Sequence, residues 1–295
     1  MTRVTMIKNI IRLGIRFVPN DLIVYRFFSG SGRYFVRRPK NFQVDATRVG
    51  DIPVLWVNHR THCSSRVILY LHGGGYAIGS NRTHLELAAR IARAAKSQML
   101  MVEYRLAPEH PYPAALNDAV AAYEYLLRER VSPEKIVIAG DSAGGGLTVA
   151  LLQYLRDRGM PTPAGAVCLS PWLDLSCSIS SLSKTIKQDP LVSPSRIRYF
   201  AKHYAGNSDR TQPGLSPLFG ELDNLPPMLI QVGGDEILLP ECKLFTRRAN
   251  KLGSSVELQV WPGMFHVWQF AASILPEGRQ AIKKIGLFIR DVSPV

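Results

Sequence analysis

The chain is poor in cysteine and has no long apolar run. Its four cysteines, Cys63, Cys168, Cys177 and Cys242, lie far apart and form neither a C-x-x-C pair nor a metal-ligand cluster. They are expected as reduced thiols of a cytoplasmic protein. No stretch of about 18 uninterrupted apolar residues occurs, so no bilayer span and no integral membrane association is expected. Near the N-terminus Arg12 and Arg16 interrupt the apolar run that a signal peptide would need, which points to an unexported chain. H-E-x-x-H and comparable clusters are missing, so no metal is expected. Acidic residues are outnumbered 36 to 23 by Lys and Arg, giving a formal charge of +13. The basic residues are scattered, with the densest group at Arg33, Arg37, Arg38 and Lys40, and neither zinc-finger spacing nor a basic zipper accompanies them. A solvated basic face is expected rather than a nucleic-acid partner. No internal repeat and no low-complexity tract is present, which sets repeat architectures aside.

What is present is enough apolar material for a sizeable core, 46% of 295 residues, and a length that suits one large unit. From about residue 50, short runs rich in β-branched or apolar residues alternate with longer helical segments. Strands are predicted at Val67 to Leu71, Met99 to Tyr104, Ile136 to Ala139, Ala166 to Leu169, Met228 to Val232 and Val256 to Trp261. Helices are predicted at residues 83 to 96, 114 to 129, 145 to 158 and 241 to 252. This alternation calls for a mostly parallel sheet with helices on both faces. Residues 7 to 18 put Ile7, Ile10, Ile11, Gly14, Phe17 and Val18 on one helical face and Lys8, Arg12 and Arg16 on the other. Such a helix can roof a pocket or lie in a membrane surface. The shortage of Trp and the stop at Pro19 favour the roof. Residues 178 to 213 carry no strand pattern and read as an insertion.

Gly140-Asp141-Ser142-Ala143-Gly144 fits G-x-S-x-G between a strand and a helix. A nucleophile raised on so sharp a turn needs small neighbours, because the backbone there is strained. The alternative is a tight turn carrying an incidental serine. His72-Gly73-Gly74-Gly75 directly follows another strand, and a Gly-rich turn there exposes backbone N–H groups toward a developing oxyanion. Its spacing matches neither dinucleotide nor P-loop fingerprints, so no cofactor is expected. Gly73 and Gly74 are the expected donors with Ala143, while His72 shapes the turn. A hydroxyl needs a base, and the base a carboxylate that fixes its tautomer. Asp235, after the Gly233-Gly234 turn, and His266, after Pro262-Gly263-Met264-Phe265, follow late strands in the order Ser, acid, His. Glu236 and Glu241 are rival acids, ranked below Asp235 because it is nearer the turn. Ser181-Leu182-Ser183-Lys184 satisfies S-x-x-K but lacks the companion motifs and the apolar helical pattern that would bury Lys184.

These blocks resemble the hormone-sensitive-lipase family of esterases, family IV among bacterial lipolytic enzymes. His72 to Gly75 and Gly140 to Gly145 look like two signatures of that family, and Tyr104-Arg105-Leu106-Ala107-Pro108-Glu109-His110-Pro111 is similar to a third. The resemblance spans roughly residues 65 to 270. It implies an α/β-hydrolase fold with a helical lid made of residues 1–45 and 178–213 over a core of residues 46–177 and 214–295. It also implies a Ser142, Asp235 and His266 triad, with Gly73, Gly74 and Ala143 as oxyanion hole. Many members have Asp-Pro-Leu at the acid, where this chain has Asp235-Glu236-Ile237-Leu238. Members divide among carboxylesterases, lactone hydrolases and deacetylases, and plant gibberellin receptors resemble them without catalysing. The expectation for this chain is a hydrolase of small carboxylic esters with short to medium acyl groups. Since many members dimerise, a homodimer is a further expectation.

Overall fold

Strands with apolar residues at every position must be covered on both faces, and the central ones here are. In the computed structural model, which describes residues 2–15, 18–31, 41–60, 64–179 and 189–294, eight strands form one sheet. They are β1 (Phe42–Val49), β2 (Ile52–His59), β3 (Val67–Leu71), β4 (Gln98–Val102), β5 (Ile136–Asp141), β6 (Gly165–Leu169), β7 (Met228–Gly233) and β8 (Val256–Trp261). Their order is β1-β2-β4-β3-β5-β6-β7-β8, antiparallel at β1-β2 and β2-β4 and parallel from β4 to β8. All six predicted strands are present, β4 one residue earlier and two shorter than its expected end. The hairpin of β1 and β2 was not anticipated. Its turn pairs Val49 with Ile52 and puts Gly50 at φ +57°, as a two-residue hairpin turn requires at its first position.

Eight helices accompany the sheet among the described residues: α1 (Arg3–Ile15), α2 (Leu22–Ser31), α3 (Asn81–Ala95), α4 (Ala114–Arg128), α5 (Ala143–Asp157), α6 (Pro194–Ala205), α7 (Leu239–Lys251) and α8 (Pro276–Val292). Because side chains alternate along a strand, Leu69, Leu71 and Ile138 join one core with α4, α5 and α7, while Ile68, Tyr70, Val137 and Ala139 join another with α3 and α8. Local chemistry sets the helix ends. Ser80 and Thr83 make a reciprocal capping box at α3, and Ser193 caps α6 ahead of Pro194. The insertion therefore contains a helix, α6, that its mixed composition concealed. Among the described residues no helix is long and apolar enough to cross a membrane.

The amphipathic N-terminal segment is helical but turned from its expected face. Ile7 is buried and Ile11 half-buried, packed with Phe265, Trp268 and Leu191, whereas Ile10 is 61% exposed. Phe17 and Arg16 lie outside the described residues, as do Cys63, the basic group Arg33 to Lys40 and the Ser181–Lys184 motif.

Candidate active site

The centre of the sheet ends in strain. After β5, Ser142 takes φ 54° and ψ −120°, a conformation of order 1–3 kcal/mol above the relaxed backbone. Its N–H is fixed to Leu169 O (2.8 Å) on β6, and its own carbonyl accepts from Gly146 and Trp172 N–H. The turn leaves no room for a neighbouring side chain. A Cβ on Gly144 would stand 2.0 Å from Leu71 O, and one on Gly140 would stand 2.3 Å from Gly144 O.

The serine hydroxyl lies 2.8 Å from Nε2 of His266, and Nδ1 of that ring lies 2.8 Å from Oε2 of Glu236. Glu236 is fully buried. Its other oxygen accepts from Ser170 Oγ (2.7 Å) and from Gly233 N–H (2.5 Å). Burial draws the His266 pKa down, but the hydrogen bond and charge of Glu236, helped by Asp189 and Asp141, outweigh it and hold the imidazole above the ordinary histidine value. Ser170 joins the acid and histidine loops, since Oγ also accepts from Val267 N–H (3.2 Å). It had no motif to announce it; its only signal is a serine ending the strand beside the nucleophile.

Asp235 is not the carboxylate beside His266. Its side chain points the other way, into an ion pair with Lys8 of α1, while its N–H bonds Met264 O. Nearness to the Gly-Gly turn misled because distance along the chain does not say which way a side chain in a turn points. Glu236, one residue later, folds back onto Gly233 and under the imidazole. Glu241 is also buried elsewhere, accepting from Leu173 N–H (2.6 Å), and burial pushes its carboxyl pKa well up.

The Gly-rich turn also departs from expectation. Gly73 N–H donates to Asp141 Oδ1 (3.0 Å) and so is spent. Gly74 (φ +124°) and Gly75 (φ +59°) have N–H groups with no acceptor among the described residues. Ala143 opens α5, where no carbonyl lies a turn behind its N–H. Asp141 anchors this turn from below. Burial alone would raise its pKa, but His84 at 3.4 Å and Tyr70 OH at 2.7 Å bring it below the usual carboxylate range. His72 is buried, stacked on Tyr104, with Nδ1 2.8 Å from Gly73 O; burial lowers its pKa to about 3, so it stays neutral and holds the turn.

Ser142 and His266 sit in the wall of a cavity of about 660 Å³. Its lining takes in Thr83, His84 and Phe270 as well as Ile7 and Ile11 of α1, Leu191, and Phe200 of α6. Arg26 ties α2 to the loops at Ala77 and Ala107, donating to Ala77 O and Ala107 O and forking onto Glu109. Asp189 ties the insertion to the acid loop by accepting from Leu191, Val192 and Ile237 N–H. Among the described residues no three His, Cys, Asp or Glu side chains converge to hold a metal ion. A polarised hydroxyl, an oriented base and free backbone donors facing an apolar cavity are what acyl transfer needs.

The chain is similar to proteins of known kind. Residues 68–270 match the model of a family described by its alpha/beta hydrolase fold. An acetyl-hydrolase of Streptomyces hygroscopicus is 44% identical over 249 residues, covering 84% of this chain and 83% of that protein. The crystal structure of an esterase from the bacterial hormone-sensitive lipase family superposes with TM-score 0.91 at 41% identity, and that of EstE5 with 0.93 at 39%, each covering 99% of both chains. By fold, site and kinship, the chain belongs to the hormone-sensitive-lipase family of α/β-hydrolase carboxylesterases.

Proposed function

We propose that this carboxylesterase cleaves esters of short to medium acyl chain through an acyl-enzyme on Ser142, with His266 as base, Glu236 as its orienting acid, and Gly74, Gly75 and Ala143 N–H as oxyanion donors. The observation that carries the reading is the unbroken relay from Ser142 Oγ through His266 to Glu236, opening on an apolar cavity.

Glu236 keeps the His266 proton on Nδ1, leaving Nε2 free to accept. As Oγ attacks the ester carbonyl carbon, its proton passes to Nε2. The carbonyl electrons move onto oxygen, where the backbone donors meet the new charge; each such donor is worth roughly 2.7–4 kcal/mol in measured cases. When the tetrahedral species collapses, the C–O bond to the alcohol breaks and Nε2 returns its proton to the departing oxygen. Water then repeats the sequence on the acyl-enzyme, releasing the acid and restoring Ser142. The positive charge that His266 carries midway is stabilised by Glu236, with the same sign as the ground-state rise in its pKa.

The kinship to an acetyl-hydrolase favours small acyl groups, acetyl included. A receptor that binds without turnover would have no use for this complete relay. The test is a spectrophotometric series of p-nitrophenyl esters from acetate to palmitate beside Ser142→Ala. Activity on the short members that is abolished by the substitution is expected; turnover surviving in Ser142→Ala overturns the reading.

A further inference from the structure

The cavity at Ser142 does not end against solid protein. Adjoining it is a second cavity of about 540 Å³, whose lining includes Arg12, Leu13, Ile15, Val18 and Pro190. Leu191, Val192 and Arg196 line both cavities. Of these three, Leu191 and Val192 belong to the strap whose backbone Asp189 holds. Arg196, on α6, hydrogen-bonds both that strap and α1: Nη1 donates to Leu191 O (3.0 Å) and Nη2 to Ile15 O (3.0 Å). Its guanidinium carbon also stands 5.8 Å from the ring centre of Tyr25 on α2. The guanidinium of a long flexible side chain, ordinarily free to swing, is thus held by two carbonyls on the boundary between two spaces.

We propose that Arg196 is the specificity-determining partition of this esterase, with the acyl chain running from Ser142 toward it and Arg196 setting the longest chain the enzyme accepts. The proposal rests on Ser142 being the nucleophile in that cavity. An acyl tail that reached the partition would have to displace the guanidinium from two carbonyls and strip its remaining N–H groups of water, with only methylenes to offer in return. Past the partition, Leu13, Ile15 and Val18 offer a path over the lid that a long chain could follow. Arg196 touches neither Ser142 nor the reacting carbonyl; it acts on where the acyl tail stops.

The experiment measures kcat/KM over p-nitrophenyl esters from acetate to myristate for wild type, Arg196→Ala, Arg196→Gln, Lys8→Ala and Ser142→Ala. Functional sites are counted by stoichiometric labelling with an organophosphonate. In wild type a rigid end wall gives a break, a fall of roughly tenfold or more within one step of two methylenes, about what burying two methylenes supplies. Arg196→Ala should raise the dodecanoate-to-butyrate ratio at least roughly tenfold on the same basis, and Arg196→Gln should move it less in the same direction. Lys8→Ala loosens another tie of α1, that to Asp235, without opening the boundary, and should leave the ratio in place. A smooth wild-type decline overturns the proposal without any variant folding. So does an unchanged ratio in labelled Arg196 variants, or a shift in Lys8→Ala as large as in Arg196→Ala. Turnover by Ser142→Ala would instead overturn the assignment of the reaction, so the two failures are distinguishable.

Discussion

Replacing Glu236 by Gln separates the two adjacent carboxylates. The amide keeps one oxygen, which can still accept from Ser170 Oγ and Gly233 N–H, so the fold has no reason to give way. If the amide were flipped, NH₂ would face those two donors, an arrangement the site disfavours. In the retained orientation the new NH₂ faces His266 Nδ1 across 2.8 Å and must donate to it. The imidazole then carries its proton on Nε2, the nitrogen that faces Ser142, and can no longer accept from the hydroxyl. The same tautomer trap costs about 10⁴-fold in kcat in the serine-protease example, equivalent to about 5.4 kcal/mol at 1.36 kcal/mol per decade. Glu236→Ala is a poorer probe, because it strands buried donors at about 1–3 kcal/mol each. Asp235→Asn removes only the charge that Lys8 meets at a mostly buried pair. It should hold kcat within about threefold and cost about 1 kcal/mol of stability, a few degrees in Tm. The assay is butyrate ester turnover at pH 8 with thermal unfolding alongside. A crippled, folded Asp235→Asn with Glu236→Gln near wild type would refute the reasoning.

Other outcomes follow from the same contacts. Ser170→Ala removes the bridge between the acid and histidine loops, and a lost hydrogen bond to a charged group, about 1.5–3 kcal/mol, should lower kcat roughly ten- to a hundredfold with little change in KM. For pH, a protonated His266 cannot accept from Ser142, so kcat/KM should rise with pH through a midpoint above the ordinary histidine value; because Glu236 supplies the rise, the residual activity of Glu236→Gln should show that limb at lower pH. A limb that stays in place would contradict the assigned cause. Gly144→Ala drives a methyl to 2.0 Å from Leu71 O, so it should yield misfolded or inactive protein. Recovery of a stable, fully active variant by size exclusion and esterase assay would show that the turn has slack.

Ser142 and His266 were legible because each depends on local context: a strand, a strained turn and a helix for one, a loop after the last strand for the other. The acid was not, because Asp235 and Glu236 occupy one turn, and only its three-dimensional course decides which side chain turns inward. Gly73 failed for a related reason. Nothing in H-G-G-G says that the first glycine's N–H will be taken by Asp141, a residue 68 positions away. The parallel strands were found as continuous apolar runs, whereas β1 is exposed along residues 43–48 and has no such run. For α1 the periodicity was right and the face only in part, since Ile7 and Ile11 pack inward while Ile10 is apolar yet exposed; an apolar residue has no obligation to be inside.

If Ser142 is the residue that becomes acylated, mass spectrometry of the intact protein and its peptides after exposure to a fluorophosphonate should find one adduct per chain. It should lie on the peptide containing Ser142, appear in step with the loss of esterase activity and be absent from Ser142→Ala. An adduct on another serine, or full activity in a chain labelled at Ser142, would contradict the assignment of Ser142.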